Sequence, residues 1–394
     1  MQSERVRVLW VLSLPILVLL AALSLAIGVP HPVQAGDDGQ SPQQGWRLAQ
    51  PITYENLTVF PVVSAQDADT SAFATLDEAL ASGDVVVTEQ GNYLRRTREA
   101  LPLPFPQPGA QVNQLVLVNR GKRQLLLLAG EVVSGGNQDR IIGKDRIVPA
   151  GAAPLPLDVF CVEHGRWTGE SANFAAANLM VHPSVRAKAA VEQNQNEVWA
   201  AVRGDTQSTL GGAAGGVAGG RIGSAPSALS PPINGRSLDS VIALNAPTQA
   251  YAKIYKSSPI GASVETFSQE VDRRFHRANS GTGRERVVGV IVAYGGEVTW
   301  SDVFASSQLF DAYWPKLLRS YVVEALTRTA TRETVSLIDA RDFLRPATGH
   351  IREESDPGIY RWRERSEGQI AEIELDALAP KPIGLHWLRV LRAK

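Results

Sequence analysis

Strand-length apolar runs recur at short intervals along this chain, each bounded by turn residues, with only a few helical patterns between them. Residues 57–63 alternate and are rich in β-branched side chains, and 84–89 repeat the pattern. Residues 112–119 and 124–129 flank Arg120-Gly121-Lys122, which predicts a hairpin. Further strands are expected over 140–148, 155–162, 370–375 and 386–391, and over 286–294 with 297–300 across Gly295-Gly296. Helical patterns cover 75–80 (stopped by Gly83), 184–202, 237–255 and 264–278. The strongest is 315–329, where Leu317, Leu318, Tyr321, Val322 and Ala325 share one face and Pro315 suits a first helical position. This order lacks the regular βαβ alternation of a parallel sheet. The expected fold class is therefore α+β, a mixed or antiparallel sheet core with a few packed helices. Residues 125–132 and 290–298 each run from an apolar strand through Gly onto Glu131 or Glu297. Duplication of two related halves would produce this echo, and so would repeated use of a common turn.

Several segments stand outside that pattern. From residue 9 to 27 the only departures from apolar side chains are Ser13, Pro15 and Ser24, and Arg5 and Arg7 precede the run. With Val33-Gln34-Ala35 following, residues 1–35 read as a secretory signal peptide, or as an N-terminal membrane anchor if uncut. Either reading exports the globular part, to the periplasm, the cell surface or the medium. Residues 36–54 are polar and Gln-rich, the composition of a flexible tether. Pro102, Pro104, Pro106 and Pro108 mark an extended loop. Residues 204–236, rich in Gly, Ala, Ser and Pro, read as a linker or loop between a β-rich first half, 55–203, and an α+β second half, 237–394.

The 39 basic and 40 acidic side chains nearly cancel, which argues against nucleic acid as a partner, since phosphate backbones call for a basic surface. Cys161 is the single cysteine, so no internal disulfide staples the chain. The six histidines show no paired ligand spacing, and Asp139 and Asp145 near a Gly turn read as solvated, so neither a metal nor a cofactor is implied.

Three polar clusters interrupt or end apolar strands: Glu131 with 134–140, then 161–167, then 193–199. In the first, alternation places Gln138 and Arg140 on one strand face, where a planar guanidinium and an amide could converge on a carboxylate or phosphate. The same residues fit a turn in which Glu131 and Arg140 pair across a hairpin. In the second, Cys161 and Glu163 point the same way, and Arg166 with Trp167 could clamp an aromatic, phosphorylated ligand. His164 falls on the opposite face, so Cys161 reads as a buried strand thiol before it reads as a nucleophile. Glu131 and Glu163 are the candidate catalytic carboxylates. Gln138, Arg140, Arg166, Trp167, Glu197 and Trp199 are the candidate ligand-binding residues.

These clusters, in this order, resemble the domain family named for association with ADP-ribosylglycohydrolases and rhodanese–phosphatases, a family of unknown function. The resemblance rests on Leu76-Asp77-Glu78-Ala79-Leu80, Gly130-Glu131 with Gln138-x-Arg140, Cys161-x-Glu163-x-Gly165-Arg166-Trp167, Gln195-x-Glu197-Val198-Trp199, and residues 302–320. It covers most of residues 55–330. The resemblance implies genomic company with ADP-ribose and phosphoester enzymes, and no established activity. Three functions stay open on this reading. One is binding of a small anionic, nucleotide- or ADP-ribose-like ligand or a modified protein. The second is hydrolysis with a Glu as general acid or base, and the third is a structural role in the envelope. Whether the chain is an enzyme is left undecided.

Overall fold

The computed structural model describes residues 45–89, 114–136, 138–164, 171, 173–203, 249–252, 255, 258–280, 285–328, 331 and 333–392. The leader, the Pro-rich run and the 204–236 segment lie outside them, as do most of the helix expected over 237–255 and the side chains of 163–170.

The chain enters its main sheet earlier than composition implies. Trp46–Leu48 (β1) and Ile52–Tyr54 (β2) both pair antiparallel with Leu57–Ser64 (β3), every residue of which is buried. The tether reading of 36–54 therefore fails from Trp46 onward. Apolar Trp46 and Ile52 anchor the segment, Trp46 edge-on against Trp387 with ring centroids 5.4 Å apart. Phe73–Thr75 (β4) then leads into Leu76–Ser82 (α1). Here the sequence is explicit: Thr75 and Glu78 cap each other's backbone N–H, and Gly83 takes the left-handed conformation (φ 77°) that ends the helix.

Val85–Glu89 (β5), Gln114–Asn119 (β6), Gln124–Leu127 (β7), Glu131–Gly135 (β8), Arg140–Ile142 (β9), Arg146–Val148 (β10), Leu155–Cys161 (β11), Glu163–His164 (β12) and Asn173–Met180 (β13) follow. Six of these close a barrel in the order β11-β6-β5-β13-β8-β9. Its interior is the inward set of the alternating strands: Val85, Val87, Leu115, Leu117, Val133, Ile142, Leu157, Val159 and Phe174, with Leu76, Leu125 and Leu127 packed on them.

The hairpin expected around Arg120-Gly121-Lys122 does not form. β6 pairs with β5 and β11, whereas β7 runs antiparallel to β10 and parallel to β4 in a separate three-stranded sheet. The side chain of Asn119 turns the chain out of the barrel wall: its Nδ2 reaches the carbonyls of Arg123, Val148 and Pro149, and its Oδ1 accepts from the N–H of Gly121. Residues 140–148 likewise split into β9 and β10 around the buried Asp145.

The helix expected over 184–202 is three pieces: Pro183–Ala187 (α2), a π-helical turn at Lys188–Glu192, and, after a left-handed Gln193 (φ 50°), Gln195–Arg203 (α3). Gln249–Ala250 (β14) pairs with β12. Then come Ser258–Asn279 (α4), Arg286–Tyr294 (β15), Glu297–Phe304 (β16), Ser307–Thr327 (α5), Leu337–Phe343 (α6), His350–Asp356 (β17), Tyr360–Glu367 (β18), Ile370–Ala377 (β19) and Ile383–Leu391 (β20). α5 begins a full eight residues before Pro315, capped by Ser306, whose Oγ accepts from the N–H of Leu309. Pro315 is inside the helix, not at its start.

The main sheet is nine-stranded, ordered β1-β3-β15-β16-β20-β19-β18-β17 with β2 also on β3. The largest core, which includes Phe275, Phe304, Tyr313, Leu317 and Tyr321, joins α4 and α5 to one face of this sheet. On the other face Ala340 and Phe343 of α6 meet Phe60, Ile291, Val303 and Trp387. Antiparallel sheets, a closed barrel and a few helices make the fold α+β. The Gly-Glu echo is local: β15 and β16 form a tight hairpin, whereas β7 and β8 belong to different sheets.

Candidate functional site

Charged side chains buried in this protein gather into clusters that tie distant segments together. The largest centres on Asp302 of β16, fully buried. Its carboxylate accepts from Arg186 Nη1 (2.7 and 2.9 Å), Trp300 Nε1 (2.7 Å), Tyr321 Oη (2.5 Å) and His386 Nε2 (3.0 Å). The other ring nitrogen of His386 meets Asp145 Oδ2 at 2.6 Å, and Asp145 Oδ1 accepts from the N–H of Ala129. Arg186 donates through Nε to the carbonyl of Ala129. Gly130 beside it is obligatory: its φ is 93°, and a Cβ there would lie 2.7 Å from Arg186 Cγ. Burial opposes the Asp302 charge, but Arg186, His386 and Tyr321 together hold its pKa well below the usual carboxylate range.

Burial pulls the His386 imidazolium the other way, yet Asp145 and Asp302 outweigh it and raise its pKa above 6.5. A histidine whose folded pKa is raised adds stability that is complete below the unfolded value and is lost as pH rises through the folded one. The unfolding free energy of the parent minus that of His386→Gln should therefore shrink as pH is raised from 6.5. Urea unfolding across that range checks it, and a difference that grows with pH would refute the imidazolium.

A second cluster holds Glu131. This carboxylate is 1% exposed; Oε2 accepts from the N–H of Leu128 (2.7 Å) and Oε1 from Lys316 Nζ (2.5 Å). Lys316 also reaches Asp77 Oδ2 at 2.5 Å and lies over the Tyr313 ring. Burial raises the Glu131 pKa, and Lys316 opposes that rise. Both oxygens are occupied, so Glu131 cross-links β8, α1 and α5, and the hairpin ion pair with Arg140 does not exist.

Gln195 explains another pair of sequence clusters. Its Oε1 accepts from the Cys161 N–H (2.9 Å) and its Nε2 donates to the Cys161 carbonyl (3.1 Å). The described pairing of β11 with β6 runs as far as Asp158, and the Gln195 amide binds the backbone of β11 three residues further on. Burial raises the Cys161 thiol pKa and the Arg140 charge opposes it only in part, as expected of a buried strand thiol. Glu197 pairs with Lys188 at 2.8 Å on the surface, and Trp199 is part-buried on the same helix; the structure does not bring Glu197 to Arg140.

Arg140 and Gln138 do come together. Among the described residues the barrel strands share one rim at Glu89, Gln114, Gly135, Arg140, Cys161 and Asn173, a register fixed by Glu89↔Leu115, Asp158↔Gln114, Cys161↔Arg140, Val133↔Arg140 and Phe174↔Gly135. Arg140 is 3% exposed and shares the inward face of β9 with Ile142. Its Nη1 donates to the Gln138 carbonyl (2.9 Å), to Gln138 Oε1 (3.3 Å) and, at 3.4 Å, to the Asp139 carbonyl. Its Nε has no acceptor. Arg186 and Arg389, the other buried arginines among the described residues, face the carboxylates of Asp302 and Glu372; Arg140 faces none. Arg166, Trp167 and the Glu163 side chain lie outside the described residues, though the Glu163 backbone pairs with Ala250.

The sequence pattern of the ARG and Rhodanese-Phosphatase-superfamily-associated Protein domain matches residues 45–382. The chain belongs to this family. Nothing among the curated proteins or the solved structures matches it. The stretches on which its resemblance to the ARG and Rhodanese-Phosphatase-superfamily-associated Protein domain rests are those the fold joins. Asp77 and Glu131 meet at Lys316, Cys161 meets Gln195, and Asp302 carries the hub. Arg186, Lys316 and His386 were not singled out from sequence. Their only signal is a charge within an apolar pattern, as at Lys316 on the buried face of α5.

Proposed function

We propose that this protein binds a small anionic ligand at the rim of its barrel, with Arg140 as the anchor and Gln138 as the residue that holds it. The observation that carries this reading is a buried guanidinium without a carboxylate among the described residues. A charge taken out of water without a counter-ion is costly, and an arriving anion removes that cost. The apolar run at 9–27 and the Val33-Gln34-Ala35 that follows support export, so a ligand met outside the cytoplasm is part of the proposal. Among the described residues no helix is long and apolar enough to cross a membrane, and residues 9–27 lie outside them.

Hydrolysis through Glu131 finds no support in a carboxylate whose oxygens are both occupied. A structural role is the second reading, favoured by how many motif residues serve buried cross-links. Thermal unfolding with phosphate, nucleotides, ADP-ribose and sugar phosphates separates the two. A ligand at a hundred times its Kd adds about 2.7 kcal/mol, on the order of 3–5 °C here. That rise should vanish in Arg140→Ala, while the unliganded variant loses little stability. A flat panel, with the variant strongly destabilised, would establish the structural role.

A further inference from the structure

The bonds of Arg140 also say what kind of anion fits. A guanidinium offers two edges to a pair of oxygens, and the side-on edge, Nε–H with the parallel Nη2–H, matches the two oxygens of one carboxylate or phosphate. At two surface arginines that edge is filled. Arg47 donates from Nε and Nη2 to the two oxygens of Glu285, and Arg273 does the same to Glu270. The arginines that leave one of its nitrogens without a partner, Arg186, Arg363 and Arg389, each meet a carboxylate through another nitrogen. In Arg140 all the bonds to described residues leave from Nη1, so the guanidinium is fixed in orientation with Nε and Nη2 donating to none of them. On the barrel side its described neighbours are apolar: Ile142, Val133 and Val159 share its inward face, and Cys161 stands opposite across the β9–β11 pair. A charge-assisted bond made in such surroundings is stronger than one made in water.

We infer that the ligand presents two oxygens of a single carboxylate or phosphate group side-on to the Nε/Nη2 edge of Arg140. This rests on the anion-binding reading above and narrows it. Monatomic anions are poor ligands because they engage one point of a two-donor edge. Lysine is a poor substitute because it keeps the charge and loses the fork. Gln138 is a positioning residue, since its two oxygens hold Nη1 and so aim the free edge.

The test titrates the full chain with inorganic phosphate, succinate and chloride at constant ionic strength. The Arg140 Nε–H resonance, assigned by its absence from Arg140→Lys, is followed by 15N–1H NMR, and affinity is measured by calorimetry. Phosphate or succinate should move that resonance downfield in the parent while chloride leaves it in place; which of the two acts identifies the ligand group. Arg140→Lys should weaken that probe by more than about tenfold, and Gln138→Leu should weaken it by less. Equal affinity in Arg140→Lys would overturn the side-on fork and leave the anchoring charge standing. Failure of both phosphate and succinate to move the Arg140 resonance at any concentration would overturn the fork and the anion site together.

Discussion

Asp302→Asn should cost this protein about 3–5 kcal/mol of folding stability at neutral pH, read from the midpoint of urea unfolding. The substitution keeps the shape of the side chain and removes its charge. Five hydrogen bonds from four side chains converge on the Asp302 carboxylate, two of them from Arg186 and one from His386. An amide nitrogen placed there presents a donor to donors, and it leaves Arg186 buried with its counter-charge gone. Bulk solvent does not make good the loss, because Arg186, His386 and Asp302 are all buried. His386 should also lose part of what raises its pKa, so its NMR titration should move down in the variant. A stability change under about 1 kcal/mol would mean that the cluster is not what joins barrel to sheet.

Lys316→Met is the second large effect, again about 3–5 kcal/mol, and it carries its own internal control. Methionine fills much of the volume, so the loss is electrostatic: Glu131 keeps its bond from Leu128 and loses its cation, as does Asp77. Burial already raises the Glu131 pKa, and without Lys316 the rise is unopposed. A carboxyl with a raised folded pKa stabilises below the unfolded value near 4.5 and destabilises as pH climbs through the folded one. The variant should therefore recover stability as pH is lowered toward 4.5, and Lys316→Met with Glu131→Gln should be more stable at pH 7 than Lys316→Met alone. A double variant no better than the single would show that packing, not charge, explains the loss.

How far the sequence could be read depended on how far away each partner lies. The α1 cap, the β15–β16 hairpin and the strands β19 and β20 are written in neighbouring residues, and their apolar patterns placed them. β17 and β18 were hidden because their outward faces are charged. Arg361, Arg363 and Arg365 stand opposite Asp376, Glu374 and Glu372 on β19, with ion pairs at 2.9, 2.8 and 3.1 Å, so the alternation of Tyr360 and Trp362 is masked by polar neighbours. The β6–β7 hairpin was misread because both strands pair with distant segments. The site shows the same limit. Gln138 and Arg140 are two residues apart and their meeting was legible, although Gln138 lies in the bend before β9 and not on the strand, whereas Glu131 meets a lysine 185 positions away. Local geometry offered Arg140 to Glu131; tertiary packing chose Lys316.

The amide of Gln195 has a consequence for how the barrel rim moves. At Cys161 the backbone of β11 is bound on both its N–H and its carbonyl by one helix-borne side chain. Fraying of the first turn of α3 should therefore speed exchange of the Cys161 N–H without unfolding of the barrel, which hydrogen exchange on Gln195→Ala would check. Cys161 is also the cross-strand neighbour of Arg140, so the same amide ties a nine-residue helix on the outside to the strand pair that holds the guanidinium inside.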